Sequence, residues 1–426
     1  MSEKKIVNIE LESIKLNEFK EKPGSKDPWV SWGNKNNFPD IITSLLYNSA
    51  LHHNIVKKRI AMICGDGVAV NKSSNKNKIA TEKFINNINR YGETLEDIIE
   101  KLATDYVSMG SAALQVIWGK GGNQIAELFH LPINNLRLGK KDELGNINKY
   151  YYSNNWQLCR RPEFTPFPIT AYSNIPELIA IDPTQVIIFS PYSFGSSYYS
   201  QPDYVGGLNY INLDWQMSEF ANSYVKNGFF PNVMINFKNI NDEDKEYVTN
   251  QFTAQYTTAP NNNKVLFNFL EGDSDIKIEP LSVQGMETMI SAMNDLATEN
   301  VLQAHGMPGI LVGIAEAGSL GDASQINNAY LQYENSKTLP AQNFIMSKIN
   351  KLLSINGLDE VTINSSTPIP FSVNEDTMQN VLTVTELRDM LGFGPLDPSN
   401  YGDIVSNIAN KATPTTPVTN SKQNKK

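Results

Sequence analysis

Two long stretches of helical periodicity, separated by a run of glycines and a proline, constrain this chain more than any other feature. From Gln284 to about His305, Met286, Met289, Ile290, Met293, Leu296 and Ala297 recur on one helical face. Gly306-Met307-Pro308-Gly309 then breaks the pattern, and Gly313, Gly318 and Gly321 follow. Periodicity resumes from about Ala323 to Leu353 with Pro340 inside it. A proline there lacks a donor and collides with the preceding turn, so the spacing predicts a kinked helix.

The rest of the second half alternates between the two periods. Leu208 to Asn227 reads as a helix with no internal Gly or Pro. Strands are expected at Val233–Phe237, Val265–Phe269, Ile276–Ile278 and Val361–Ile363. A short acidic helix begins at Asn241, where Asp242, Glu243, Asp244, Lys245 and Glu246 suit a positive helix end. A short helical region is expected at Asp376–Leu391. The tail from Lys411 to Lys426, rich in Thr, Pro, Asn and Lys, has the composition of a disordered segment.

In the first half, the first forty residues read as polar and irregular. Ile41, Leu45, Leu46, Leu51, Ile55, Val56, Ile60 and Ile63 then keep helical spacing up to Gly65-Asp66-Gly67. Asn71 to Lys78 reads as a solvated basic loop. Leu95 to Ser108 carries one apolar stripe closed by Gly110. The period then changes: Ala113–Trp118 and Ile125–Phe129 read as a hairpin about Lys120–Asn123. Further strands are expected at Lys149–Asn154, Trp156–Leu158 and Val186–Ser190. The fold class is α+β, and 426 residues call for two or more domains, with no internal repeat at a fixed period.

Composition excludes some functions. Hydrophobic residues at 40% and charged ones at 19% are ordinary for a folded chain. A net charge of −9 argues against tight sequence-reading of nucleic acid, which needs basic clusters, does not exclude a surface past which DNA slides, and alone decides nothing between those readings. Cys64 and Cys159 imply no disulfide framework, and Cys64, in an apolar run, reads as core. No stretch approaches the roughly 18 apolar residues that span a bilayer, and the charged start leads into no signal core.

No catalytic constellation is legible. The four histidines, His52, His53, His130 and His305, have no partners at metal-ligand or triad spacing. His52 and His53 read as solvated or interface residues, and His305 as a group that complements a helix C-terminus. There is no P-loop, HExxH, GxSxG or CxxC, and Gly119-Lys120-Gly121-Gly122 reads as a hairpin turn. The Met-rich face reads as core or subunit contact. Acidic clusters such as Glu271, Asp273 and Asp275 read as solvated, although carboxylates gathered from separate elements, as a metal-dependent nuclease needs, remain an open alternative. No cofactor is implied.

The order of elements resembles the portal protein family of tailed phages, in its lambdoid-related branch. Trp215 to Pro231 (WQMSEFANSYVKNGFFP) is similar to that family's first stem helix. Val233 to Leu281 is similar to its clip, and Leu128 to Tyr152 to its wing. Ala304 to Gly313 (AHGMPGILVG) resembles the family's Gly-Val-Pro-Pro and Leu-Leu-Gly pattern, with Met307 for the valine and Gly309 for the second proline. Gln325–Asn328 stands where the family often has Ser-Asn-x-Glu/Gln, Leu339-Pro340 falls where it has a proline in the long helix, and Glu386-Leu387-Arg388 through Gly392 resembles its Asn-Glu-x-Arg…Gly, with Thr385 in place of the asparagine.

The resemblance implies an N-terminal arm (1–39), a mixed wing (40–207), stem helices (208–229 and 283–306) and a small α/β clip (230–282). A tunnel-loop region (307–325), a long kinked helix with wing return (326–373), a small helical crown (374–411) and a disordered tail (412–426) would follow. It further implies a non-enzymatic virion protein, assembled in the host cytoplasm into a ring of about twelve copies at a capsid vertex. Double-stranded DNA would pass through non-specifically in packaging and ejection. Terminase large subunit, a head–tail adaptor and the major capsid protein would be the partners, with no membrane. Glu316, Ser319, Asp322 and Gln325 would face DNA. Asp242, Glu243 and Lys245 would meet the motor and adaptor. Trp215, Phe220, Met286, Met289 and Met293 would pack the stem, and Pro340 would set the kink. Another virion structural protein is the first alternative.

Overall fold

The computed structural model describes residues 21–23, 26–71, 77–226, 233–238, 265–270, 278–279, 286–314 and 323–365. The chain divides into two units, one of residues 1–315 and 331–366 and the other of residues 316–330 and 367–426.

In the first unit, the helical stretch expected from Asp40 to Ile63 is two helices, α1 (Phe38–Asn48) and α2 (Ala50–Cys64). Between them Ser49 adopts an extended backbone, and its hydroxyl accepts a hydrogen bond from the His52 N–H. A serine there satisfies a helix-start donor that otherwise has no partner, which makes the break cheap. Periodicity could not register it because a single extended residue barely shifts the apolar phase.

The helix α3 (Lys78–Ile85) lies at the end of the stretch read as a basic loop. Next, α4 (Leu95–Met109) starts from a capping box in which Thr94 and Asp97 exchange bonds. It ends at Gly110, whose φ of 76° is a left-handed value that glycine adopts without penalty. The predicted stripe is the core: Leu95, Ile98, Ile99, Leu102, Ala103 and Val107 are buried.

The main sheet has the order β5-β4-β9-β8-β7-β6. Its strands are β4 (Ala112–Trp118), β5 (Ile125–His130), β6 (Leu136–Leu138), β7 (Lys149–Tyr152), β8 (Phe167–Ala171) and β9 (Thr184–Phe189). The pair β4–β5 is the expected antiparallel hairpin, β9 lies antiparallel on the other side of β4, and β8 runs parallel to β9. Leu114, Val116, Phe189, Ile345, Ile349 and Leu352 join the α4 stripe in one core. A short α5 (Pro176–Ile181) connects β8 to β9.

Two expectations are corrected here. Trp156–Leu158 is a turn and not a strand. Trp156 is buried with its indole N–H on the Asn135 carbonyl, its ring 5.3 Å from Trp29 and 4.7 Å from the Arg137 guanidinium. An aromatic cluster buries it, so no ladder is needed. The stretch before residue 40 is not wholly irregular: β1 (Glu21–Lys22) pairs with β2 (Ser31–Trp32), and Trp29, Val30 and Trp32 are buried. Trp32 stacks on Tyr199 at 4.4 Å. The segment Val68–Val70, unassigned in the sequence, is β3, antiparallel to the expected Val361–Ile363.

The second half begins with α6 (Leu208–Lys226). Then β10 (Val233–Lys238) pairs in parallel with β11 (Val265–Leu270) and antiparallel with β12 (Ile278–Glu279). The helix α7 (Met286–His305) packs beside α6. Farther on come α8 (Ala323–Tyr333), a π-helical turn at Glu334–Thr338, and α9 (Leu339–Ile355). Pro340 sits in the first turn of α9, so the irregularity lies one turn before it. Widening that turn moves the Ser336 carbonyl, four residues back, away from the proline ring. Of the second unit, the structure describes the helical residues 323–330, at the start of α8. The predicted acidic helix, crown and tail lie outside the described residues.

Candidate functional site

A polar cluster is buried where α2, the segment leading into α6, the end of α7 and the π-turn converge. The Ser49 break orients α2 so that His52 and Arg59, two turns apart, point to the same interior. Tyr204 is anchored by its hydroxyl, which donates to the Ser108 carbonyl at 2.6 Å. Gly207, against Ala304, allows α7 to come close; a Cβ on Gly207 would lie 2.3 Å from that of Ala304.

The hub is Arg59. Its two terminal nitrogens donate to Asp203 Oδ1 and Oδ2, each at 2.9 Å, and one also donates to His305 Nδ1 at 3.0 Å. His305 Nε2 lies 2.9 Å from His52 Nδ1. Lys337 Nζ, from the π-turn, reaches Asp203 Oδ2 at 3.0 Å. The Tyr204 ring stacks on His305 at 4.6 Å and meets His52 edge-on at 4.7 Å.

Hydrogen-bond direction fixes the protons. A guanidinium only donates, so His305 Nδ1 accepts and its proton sits on Nε2, which donates to His52 Nδ1. The His52 proton is then on Nε2, which has no hydrogen-bond partner among the described residues. Burial, reinforced by Arg59, pushes His52 down to about 3 and His305 to about 2. Burial works to raise the Asp203 carboxyl, but Arg59 and Lys337 override it and hold it at about 2. Asp203 is therefore committed to two cations, and both imidazoles are neutral with their accepting nitrogens in use. The bonds of this cluster tie α2, the segment entering α6, the end of α7 and the π-turn together.

A cleft of about 570 Å³ opens beside the cluster, lined among others by Arg59, Asp203, Lys337, Tyr106, Phe194 and Phe344. Among the described residues, no group of three or more His, Cys, Asp or Glu is placed to hold a metal ion. No described helix is long and apolar enough to cross a membrane.

The reading of His52 as solvated is corrected, since it is buried together with His305. The two rings lie 253 positions apart in sequence, so local spacing held no sign of them. His53 is half-buried with Nδ1 3.2 Å from the Leu46 carbonyl, and His130 meets Asp105 at 2.9 Å. Cys64 is half-buried, and burial pushes its thiol up to about 11.

Of the other expected site residues, Met289, Met293 and Phe220 are 49%, 37% and 38% exposed, and Trp215 is partly exposed. Met286 is the first residue of α7, Gln325 is exposed on α8 and Pro340 is exposed on α9. Glu316, Ser319, Asp322, Asp242, Glu243 and Lys245 lie outside the described residues.

The chain is thus an α+β fold with a paired-helix extension, α6 beside α7, and a buried polar hub. In fold it is similar to the neck of an empty gene transfer agent particle computed with C6 symmetry. That likeness has a TM-score of 0.55 at 14% identity and covers 90% of this chain and 98% of the other. The neck of the native particle computed with C12 symmetry is similar at a TM-score of 0.52 and 15% identity, over 83% and 94% of the two chains. The family model for phage portal proteins matches residues 68–339. The chain belongs to the phage portal protein family, whose members are structural proteins of the virion and not enzymes. The probable portal protein of Haemophilus phage HP1 (strain HP1c1) is 24% identical over 192 residues, 44% of this chain. The match spans 54% of that protein, about half its length.

Proposed function

We propose that this chain closes into a ring of about twelve subunits at one capsid vertex, forming the channel through which DNA is packaged and ejected. The observation that carries the reading is the apolar face left open on α7. Met289, Met293 and Leu296 are between 37% and 49% exposed in the single chain. Apolar side chains in a row on packed helices call for a cover, and burying each stabilises by about 1.5–3 kcal/mol. A neighbouring copy supplies that cover in a repeated head-to-tail interface, which closes into a ring. The C12 symmetry of the similar gene transfer agent neck supports the ring number.

In this reading α6 and α7 are the stem, with Trp215, Phe220, Met286, Met289 and Met293 at the seams. The segment 307–325 is the tunnel loop, with Glu316, Ser319, Asp322 and Gln325 toward DNA. None of those four is basic, so phosphates pass without being held. Residues 230–282 are the clip, docking terminase and then the head–tail connector through Asp242, Glu243 and Lys245, and 374–411 form the crown. Pro340 shapes the long helix. Negative-stain imaging of the purified chain, with its mass in solution, tests the proposal. Rings of about twelve subunits with a central hole are expected, and a monodisperse monomer at high concentration and physiological salt overturns it.

A further inference from the structure

We propose that His52 and His305 form a proton-sensitive latch that ties the end of α7 to α2 and to the segment entering α6, and that opens when either ring takes up a proton. The argument starts from the direction of the hydrogen bonds. With Arg59 donating to His305 Nδ1 and His305 Nε2 donating to His52 Nδ1, the chain of donors runs one way through both rings. A proton added to His305 must go on Nδ1, where it meets the Arg59 N–H group at 3.0 Å. A proton added to His52 must go on Nδ1, where it meets the N–H of His305 at 2.9 Å. Each addition turns a hydrogen bond into two donors facing each other, beside a guanidinium already in place.

Among the described residues the surroundings offer little compensation. From α2 the rings face Arg59 and His53, from the segment before α6 Asp203 and Tyr204, and from the π-turn Lys337. Tyr333 from the end of α8 and Tyr106 from α4 act on Arg59. Asp214 of α6 bonds the Ser49 hydroxyl that caps α2. Asp203 is the carboxylate placed to stabilise a cation here, and it is shared between Arg59 and Lys337. The added charge can reach water only if the rings separate.

Separation has a defined place. His305 is the last residue of α7, and Gly306 follows at a left-handed φ of 61°. Withdrawing the ring frees the last turn of α7 and the adjoining start of α6, while α4 and the main sheet keep their apolar core. The latch is a property of one chain and stands whether or not copies close into a ring.

The test is hydrogen–deuterium exchange of the full chain at pH 7.5 and pH 5.0, corrected for the intrinsic exchange rate. With an ordinary imidazole pKa of about 6.5 in the open state, each ring favours opening by roughly thirtyfold over that interval. Peptides covering 296–307 and 203–212 are expected to lose protection, while peptides from α4 change much less. The variant H305Q keeps an acceptor for Arg59 and a donor for His52 but takes up no proton, so the loss should shrink to that of one ring. In H52Q/H305Q it should vanish. Unchanged protection at the end of α7 in the wild-type chain overturns the latch. So does an equal loss in α4, which would be global unfolding, and so does a pH response that survives in the double variant.

Discussion

Arg59 and Asp203 meet fork to fork, with both terminal guanidinium nitrogens 2.9 Å from the two carboxylate oxygens. The pair spans 144 positions of sequence and joins α2 to the segment that starts α6. The Arg59 side chain is only 7% exposed and that of Asp203 39%. Removing the acid therefore leaves a buried cation with Lys337 as its neighbour and no counter-charge. D203N is expected to lower stability by about 2–3 kcal/mol, below the range for a fully dry pair because Asp203 is partly solvated. Urea unfolding midpoints of D203N and wild type check this. A shift within experimental error would mean that the ion pair adds little to the fold.

Global stability should fall with acid. Both imidazoles lie below their ordinary value in the folded state, at about 3 and about 2. Between about pH 6.5 and those values the unfolded chain binds more protons, so stability is complete above about 6.5 and declines below it. The slope reaches about 1.4 kcal/mol per pH unit for each ring. Asp203, also depressed, adds its own loss only below its ordinary value, as pH falls toward about 2. Urea midpoints at pH 7.5, 6.5, 5.5 and 4.5 should decline for wild type and flatten for H52Q/H305Q.

Gly110 joins the end of α4 to the cleft wall and tolerates no side chain. Its φ is 76°, and a Cβ there would lie 2.4 Å from the backbone of Gln201. G110A is expected to cost about 2–4 kcal/mol, from left-handed strain and displacement of the 201–202 backbone together. Thermal unfolding followed by circular dichroism gives the measurement. G92A makes the contrast: Gly92 has a similar φ of 77° but open space around its Cβ position, so it should bear the conformational cost alone, about 1 kcal/mol.

The open face of α7 should matter for assembly and not for folding. M289D/M293D places two carboxylates on side chains already 49% and 37% exposed, so the single chain should unfold near the wild-type temperature. In a ring, each interface would bury unpaired charge, and assembly should fail. Mass photometry of purified protein distinguishes the outcomes. Rings of wild-type size formed by this variant would remove α7 from the proposed seams.

Much of the fold was legible because it depends on short-range rules. The stripe in α4, the β4–β5 hairpin, the long α6 and α7 and the glycine at 110 follow from periodicity, turn chemistry and left-handed backbone preference, each confined to a few neighbouring residues. Several of the elements that escaped are stabilised by partners far along the chain. Trp156 reads as strand-like until Trp29 and Arg137 arrive to bury it. Val68–Val70 becomes a strand because Val361–Ile363 lies beside it.

The same division runs through the functional residues. By itself the sequence determined the α+β class, the helices α4, α6 and α7 with the β4–β5 hairpin, and the absence of familiar catalytic motifs, since these are written in local pattern. It could also mark an apolar face on α7, but not whether that face was covered; exposure depends on where α6 lies. The polar hub was decided by the tertiary structure alone. His52, Arg59, Asp203, His305 and Lys337 carry no shared spacing, and what makes them a unit is burial. Taken out of water, each donor and acceptor must find its partner within about 3 Å, and only the packed chain brings those partners together.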